Sequence, residues 1–285
     1  MTSGAAALDF PVPAEPGSEG GGSPVRAVLF DLDGTIYRGT EAIPGATETV
    51  AALRAAGIRC VFASNNPTAT SLDYSRRLIG LGIPTAEADV LTSGGVAVEW
   101  LRETHPSDSV FVIGEESLIR ELQAAGIQVT TSEQADVVLT AFDRTFSYAK
   151  WNTAFQALRR GALFAATNPD TTCPVSDGGL IPDCGGITAA LEATSGRRVD
   201  VVFGKPSRIM AEAALERLGV GAEEALVVGD RLETDIQMGQ AAGVRTVLVL
   251  SGVTGHGADS SAASAVLPSV RELPGLLGSW DQSTS

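Results

Sequence analysis

Thiols, imidazoles and cations are all scarce in this sequence. Three cysteines (Cys60, Cys173 and Cys184) are scattered over 285 residues without metal-ligand spacing. That pattern excludes a zinc ribbon or disulfide scaffold and points to reduced thiols. Two histidines, His105 and His256, are too few for a His-rich zinc site, and neither sits in a recognisable triad. Lysine and arginine number 20 against 34 acids, a formal net charge of −14. This balance disfavours a nucleic-acid partner, because phosphate backbones call for basic patches. It also requires any phosphate site to bring its own local cations. No apolar run approaches the ~20 residues of a membrane helix. Residues 1–24 are rich in Gly, Pro, Ala, Ser and Glu, read as a disordered tail without the basic start and apolar core of a signal peptide. The expectation is a cytoplasmic protein with no membrane partner.

What is present is organised around residues 25–39, Val-Arg-Ala-Val-Leu-Phe-Asp-Leu-Asp-Gly-Thr-Ile-Tyr-Arg-Gly. The apolar, β-branched first half suits a buried strand. It ends in Asp31 and Asp33, then Gly34 and Thr35. Buried parallel strands gather functional groups at their carboxyl ends. Two acids one position apart repel each other unless a cation lies between them, and hard carboxylate oxygens suit Mg²⁺. An Asp-x-Asp-Gly also opens calcium loops, but those need a further acid or amide before the glycine and a closing Glu, and neither is here. A plain Asp-Gly turn leaves the acid pair unexplained.

Along the chain, helix and strand patterns alternate. Ala46, Val50 and Leu53 mark a helix, and 58–63 a strand ending in Ser64-Asn65-Asn66-Pro67-Thr68, which reads either as an anion cradle or as a helix cap and turn. A helix over about 70–81 leads to Val90-Leu91-Thr92 and the pair Gly94-Gly95, a hinge or a simple turn. Residues 95–198 carry their own alternation: strands at 110–113, 137–141 and 163–166, and helices marked by Leu118 and Leu122, by Tyr148, Trp151, Phe155 and Leu158, and over 187–194. That is enough for an inserted domain. Its loops at Asp143-Arg144-Thr145-Phe146 and 170–179 follow strands and either face a ligand or are surface loops. The pattern then resembles the chain's start. Val201-Val202-Phe203 leads to Gly204-Lys205-Pro206-Ser207, where the lysine is placed to neutralise a phosphate; the upstream glycine of a P-loop is missing. A strand over 225–228 ends in Gly229-Asp230-Arg231-Leu232-Glu233-Thr234-Asp235, and 245–250 is the last long strand. Asp235 falls in the first turn of the next helix, where a carboxylate is favoured anyway. Residues 279–285 read as a frayed end.

Four strand ends therefore carry chemistry: Asp31/Asp33, Ser64, Lys205 and Asp230/Asp235. One parallel sheet with helical crossovers would bring them to one edge. Carboxylates for a metal, a hydroxyl and an ammonium for an anion, and one carboxylate left to react fit a phosphoryl group attacked in line.

Asp-Leu-Asp-Gly-Thr, Ser64, Lys205 and Gly-Asp-x-x-x-x-Asp, in this order, resemble the four motifs of the haloacid-dehalogenase-type phosphatase superfamily. Phe142-Asp143-Arg144, Thr167-Asn168-Pro169-Asp170, Gly204-Lys205-Pro206-Ser207 and Gly-Asp-Arg-Leu-Glu-Thr-Asp resemble its nitrophenylphosphatase-like, NagD-type branch with a class IIA cap, which includes phosphoglycolate, glycerol-phosphate and pyridoxal-phosphate phosphatases. The resemblance implies an α/β fold: a Rossmann-like doubly wound parallel core (25–94 and 199–278) with an inserted α/β cap of C2 type (95–198). It implies Asp31 as nucleophile and Asp33 as general acid, then base. Mg²⁺ would be held by Asp31, Asp230 and the backbone carbonyl of Asp33, with Asp235 in support. Ser64 and Lys205 would hold the phosphoryl group, with Asn65 nearby. The cap would choose the substrate, a small phosphorylated metabolite, and Arg144, Asp170 and Cys173 are its candidate specificity residues. A second copy of the chain docked through the cap is a candidate partner. Where the branch often has Pro-Gly-x-Gly, this chain has Pro182-Asp183-Cys184-Gly185. Two rivals use the same crevice: a phosphomutase or dehalogenase, and a silent phospho-ligand sensor. The second acid, Asp33, argues against the dehalogenase and the sensor.

Overall fold

The computed structural model describes residues 23–174, 179–254 and 259–282. Residues 1–22 and 283–285, within the tail and frayed end expected above, lie outside the described residues. β1 (Ala27–Asp31) is followed by an antiparallel hairpin, β2 (Tyr37–Arg38) and β3 (Glu41–Ala42), then α1 (Ala46–Ala55), β4 (Arg59–Ser64), α2 (Ser71–Gly80) and β5 (Val90–Thr92). α3 (Ser93–Thr104) opens a second layer with β6 (Ser109–Ile113), α4 (Glu116–Ala124), β7 (Gln128–Thr130), β8 (Val137–Thr140), α5 (Tyr148–Arg159) and β9 (Leu163–Ala166). A hairpin, β10 (Thr172–Pro174) and β11 (Leu180–Pro182), precedes α6 (Cys184–Ser195) and β12 (Val201–Val202). The chain returns through α7 (Arg208–Leu218), β13 (Ala225–Gly229), a π-helical turn at Leu232–Ile236, α8 (Gln237–Ala241), β14 (Arg245–Val249), β15 (Ala265–Leu267) and α9 (Leu273–Gln282).

The first sheet is six-stranded, in the order β15-β14-β13-β1-β4-β5, and its pairings are parallel. β1 lies in its middle and is buried throughout. Its alternate residues serve two cores: Val28 and Phe30 pack with Phe62, Val228 and Val247, while Ala27 and Leu29 pack with Val61, Val227 and Met210. Each fully buried Val, Leu or Phe contributes roughly 1.5–3 kcal/mol. Such two-faced burial accounts for the uninterrupted apolar run. Phe30 sits opposite both Val228 and Phe62, and Asp31 opposite Ala63. This register delivers Asp31, Ser64 and Asp230 to one edge. α2 starts where Thr70 and Asp73 close a reciprocal capping box, and its length carries Tyr74 and Arg77 towards that edge. The second sheet is five-stranded and parallel, in the order β12-β9-β8-β6-β7.

Three expectations are corrected. Val201–Val202 pairs with β9 in the second sheet, not with the first, so that sheet runs past residue 198. Backbone bonds fix it there: Asp200 N–H to Phe164 O at 2.7 Å and Phe203 N–H to Ala166 O at 3.1 Å. Gly94 and Gly95 are neither hinge nor turn but the first turn of α3, capped by the Thr92 hydroxyl, which accepts from Gly95 N–H at 2.9 Å. Ser279 and Trp280 do not fray: they continue α9, because Trp280 packs on the first-sheet core with the Arg245 guanidinium 5.2 Å from its ring centroid.

Candidate active site

β1 ends at Asp31, whose carboxylate is almost fully buried. The Lys205 ammonium, buried as well, bonds to Asp31 Oδ1 and stands 2.8 Å from Asp235 Oδ1. The second contact is an ion pair without hydrogen-bond alignment, and both Asp31 Oδ2 and Asp235 Oδ1 are buried without a hydrogen-bond partner. Carboxylate atoms of Asp31, Asp230 and Asp235 lie within 4.8 Å of one another. Burial raises the Asp31 pKa well above its ordinary value; Lys205 pulls it down, and the charges of Asp235 and Asp230 push it up again. Asp230 is raised to about 6 by burial and by Asp235, against the N–H of Val253, which donates to its Oδ2 at 2.5 Å. Burial disfavours the charge on Lys205, but Asp235 and Asp31 outweigh it and hold the ammonium charged. Three buried carboxylates against one ammonium leave an excess of negative charge that a divalent, oxygen-loving ion would neutralise. The unpartnered Asp31 Oδ2, with Asp230 and Asp235 beside it, fits such an ion.

The Asp33 carboxylate stands outside that cluster, open to the crevice, and accepts from the Tyr37 hydroxyl at 3.3 Å. The surrounding protein raises its pKa by desolvation, against Arg77, Tyr37, Lys205 and Arg231. The turn between the two acids is tight. Gly34 has φ +92°, and a Cβ there would fall 2.5 Å from Asp230 Oδ2, so glycine lets the two acidic strand ends meet. Ser64, buried at the end of β4, donates to the Tyr74 hydroxyl at 3.1 Å and accepts from Asn66 N–H at 3.2 Å. Lys205 arrives although its strand lies in the other sheet. Gly204 N–H donates to Thr167 O at 2.6 Å, and the Asn65 side chain clasps the next residue: its Oδ1 accepts from Lys205 N–H at 2.7 Å and its Nδ2 donates to Lys205 O at 2.8 Å.

Two family comparisons and the solved structures agree with this geometry. Residues 28–128 match the Haloacid dehalogenase-like hydrolase family and residues 202–273 a HAD-hydrolase-like family. The Sugar-phosphatase AraL of Bacillus subtilis is 38% identical over 81% of this chain and 85% of its own. The chain belongs to the haloacid dehalogenase-like hydrolases. Among solved structures, the p-nitrophenyl phosphatase from Archaeoglobus fulgidus superposes with a TM-score of 0.84 at 32% identity, covering 89% of this chain and all of its own. NagD from E. coli K-12 gives 0.80 at 33%, covering 88% and 98%. The branch is therefore the NagD-type phosphatases, and the chain is a hydrolase.

Within this hydrolase the expected site residues separate. Asp31, Lys205, Asp230 and Asp235 converge, with Asp33 and Ser64 beside them. Asn65 is close by, but its amide is spent on Lys205 and on Asp170 Oδ2 at 2.8 Å. The side chain of Asn65 thus fastens the backbone of Lys205. Arg144 is largely exposed and doubly bonded to Glu115, at 2.6 and 2.8 Å, so its fork is already occupied. Asp170 is held by two amides at Oδ2, Asn65 and Asn168 at 3.0 Å. Cys173, on β10, is half-buried. Burial raises its thiol pKa, as do the charges of Asp183, Asp33 and Asp170, while Arg231 lowers it. Asp183 caps α6 through Cys184 N–H at 2.5 Å. Cys184 is buried among the hydroxyls of Thr140, Thr167 and Thr188 at 3.7–3.8 Å.

Five residues near the crevice were not singled out from the sequence: Thr35, Tyr37, Tyr74, Arg77 and Arg231. Thr35 is fully buried with an unpartnered hydroxyl, and its place directly after Asp-x-Asp-Gly was a usable signal. Arg77 lies 3.9 Å from the Tyr37 ring centroid, a contact that no spacing announces.

Proposed function

We propose that the chain is a Mg²⁺-dependent phosphatase of small phosphate monoesters, of the sugar- or polyol-phosphate, phosphoglycolate or glycerol-phosphate class, working through an aspartyl-phosphate. The observation that carries this is the Asp31 carboxylate: one oxygen on Lys205, the other unpartnered, with Asp230 and Asp235 beside it. Asp31 attacks phosphorus and the ester bond breaks. Asp33 gives its proton to the departing oxygen, which leaves as the alcohol. Asp33 then takes a proton from water, whose oxygen attacks phosphorus and releases Asp31 and inorganic phosphate. Lys205 and Ser64 hold the non-bridging oxygens through both steps. Asp31, Asp230 and the Asp33 carbonyl, with Asp235 in support, would hold Mg²⁺, which would supply charge neutralisation when bound. The second sheet, 95–198 and its continuation through β12, is read as the cap that shields these steps from bulk water.

The test is phosphate release from p-nitrophenyl phosphate. Release is expected with Mg²⁺, abolished by chelator and by Asp31→Asn. No release across a broad panel of phosphate esters with Mg²⁺ would overturn the reading.

A further inference from the structure

We propose that Asp170 is a positioning residue for Lys205: its carboxylate locks the Asn65 amide in the one orientation that clasps the Lys205 backbone, and so ties the seating of the second sheet to the ammonium that holds the phosphoryl group. This rests on the phosphatase reading above and adds a residue to its machinery. Asn65, directly after Ser64, is where the chain's two crossings between the sheets meet. At the outward crossing the Ser93 hydroxyl donates to Asn65 O at 2.6 Å. At the return, Asn65 Oδ1 accepts from Lys205 N–H at 2.7 Å and Nδ2 donates to Lys205 O at 2.8 Å. The fit is tight: a Cβ on Gly204 would fall 2.5 Å from Asn65 Oδ1, 2.7 Å from Thr167 O and 3.0 Å from Ser93 Cβ.

A carboxamide offers two N–H donors and one acceptor oxygen. Lys205 O takes one donor of Asn65, and Asp170 Oδ2 takes the other at 2.8 Å. Turned over, the amide would set its NH₂ against Lys205 N–H and its oxygen against two acceptors, Lys205 O and Asp170 Oδ2. A carboxylate at 170 therefore leaves Asn65 a single orientation. Asp170 is itself held firmly. Its Oδ2 also accepts from Asn168 Nδ2 at 3.0 Å, Asn168 is fully buried, and Gly185 N–H donates to Asp170 O at 2.7 Å. The loop after β9 and the start of α6 thus carry the acceptor. Asn65 passes its position on to Lys205, whose ammonium lies against Asp31 and Asp235. Asp170 Oδ1 stands 4.0 Å from Arg231 Nη1, beyond hydrogen-bond reach, so the amides rather than the guanidinium set its place.

The test compares three variants of the full chain. Asp170→Asn keeps an oxygen for both amides but loses the charge, Asp170→Glu keeps the charge but displaces the acceptor, and Asp170→Ala removes it. Steady-state rates are read with Mg²⁺ on p-nitrophenyl phosphate and on glycerol phosphate. Asp170→Asn is expected to stay close to wild type. Asp170→Ala and Asp170→Glu are expected to lower kcat by about tenfold or more, since a misplacement of about 1 Å can cost about a hundredfold, with KM moving less. The factor should be the same for both esters, because Lys205 acts on the phosphoryl group they share. On an Asn65→Ala background, Asp170→Ala is expected to cost nothing further. The inference is overturned by an unchanged kcat in Asp170→Ala, by Asp170→Asn as slow as Asp170→Ala, by a loss confined to one ester, or by losses that multiply with Asn65→Ala. Where Asp170→Ala fails to fold, the order of Asp170→Asn above Asp170→Glu decides. Any of these results alongside wild-type turnover sinks this inference alone. No turnover of any ester by the wild type sinks the phosphatase reading and this inference with it.

Discussion

Replacing Lys205 with methionine tests the electrostatic core of the site without its chemistry. The side chains are of similar length, so packing is nearly kept while the ammonium disappears. In the wild type that ammonium bonds to Asp31 and lies 2.8 Å from Asp235, with Asp230 in the same cluster. Removing one partner of a buried ion pair costs about 3–5 kcal/mol, because the remaining charge is left uncompensated. Here more than one carboxylate is left, and they escape by binding protons. Asp31 and Asp230 already have raised pKa values, Asp230 at about 6, and without Lys205 both move higher.

The sign of the pH dependence follows. Between the ordinary carboxylate value of 3.8 and the raised one, the native state binds more protons than the unfolded chain. Stability contributed by these groups is therefore full at low pH and lost as pH rises through the raised value. In chelator, Lys205→Met is expected to cost about 3–5 kcal/mol at pH 8 and under about 2 kcal/mol at pH 5. Mg²⁺ at a hundred times its dissociation constant should return about 2.7 kcal/mol. Urea melts of both proteins at the two pH values, with and without Mg²⁺, measure each quantity. Equal stability at pH 8, or a loss identical at pH 5 and pH 8, would refute the reasoning.

Asp183 is raised to about 6 by burial and by Asp170, against the Cys184 N–H and the Asn168 amide. By the same sign it destabilises the fold by about 3 kcal/mol above pH 7. Asp183→Asn keeps the α6 cap and should raise stability by up to that amount at pH 7.5 and leave it unchanged at pH 4, read from urea midpoints. Asn65→Ala removes three hydrogen bonds and frees the Lys205 backbone; a loss of about 2–4 kcal/mol is expected, with kcat falling more than KM changes. An unaltered kcat would show that Asn65 does not position Lys205. Tyr37→Phe removes the hydroxyl's hydrogen bond to Asp33 at a stability cost of about 1 kcal/mol, and should slow turnover of poor leaving groups more than that of p-nitrophenolate, which needs little proton donation. Equal slowing of both would remove Tyr37 from the proton-transfer argument.

Most of the first sheet was legible because its signals are local. A run of buried residues at 27–30, closed by Asp31, reads as a strand and its chemical end without knowledge of its neighbours, and the same holds for 59–64 and 225–229. The failures are places where a distant partner decides. Val201–Val202 is apolar enough for either sheet; what assigns it is Asp200, whose backbone and side chain both bond to Phe164, 36 residues earlier. Gly94 and Gly95 carry a breaker's signature, yet the Thr92 cap and the crowding of Leu118 and Glu121 against them hold a helix. Trp280 read as part of a frayed end because one of its partners, Arg245, is distant in sequence.

The site itself divides along the same line. Sequence spacing says which side chains can reach a phosphate; it does not say which are already satisfied when they arrive. Asn65 and Arg144 both follow strand ends and both have the right donors, yet each has its donors bound, Asn65 by Lys205 and Asp170 and Arg144 by Glu115. Arg231 also follows a strand end, and its acidic neighbour stands 4.0 Å away, too far to consume the guanidinium. Asn65 and Arg144, two polar residues with claims from the sequence, thus fasten the structure instead. The deciding quantity is hydrogen-bond saturation, and it exists only after the two sheets have been brought face to face.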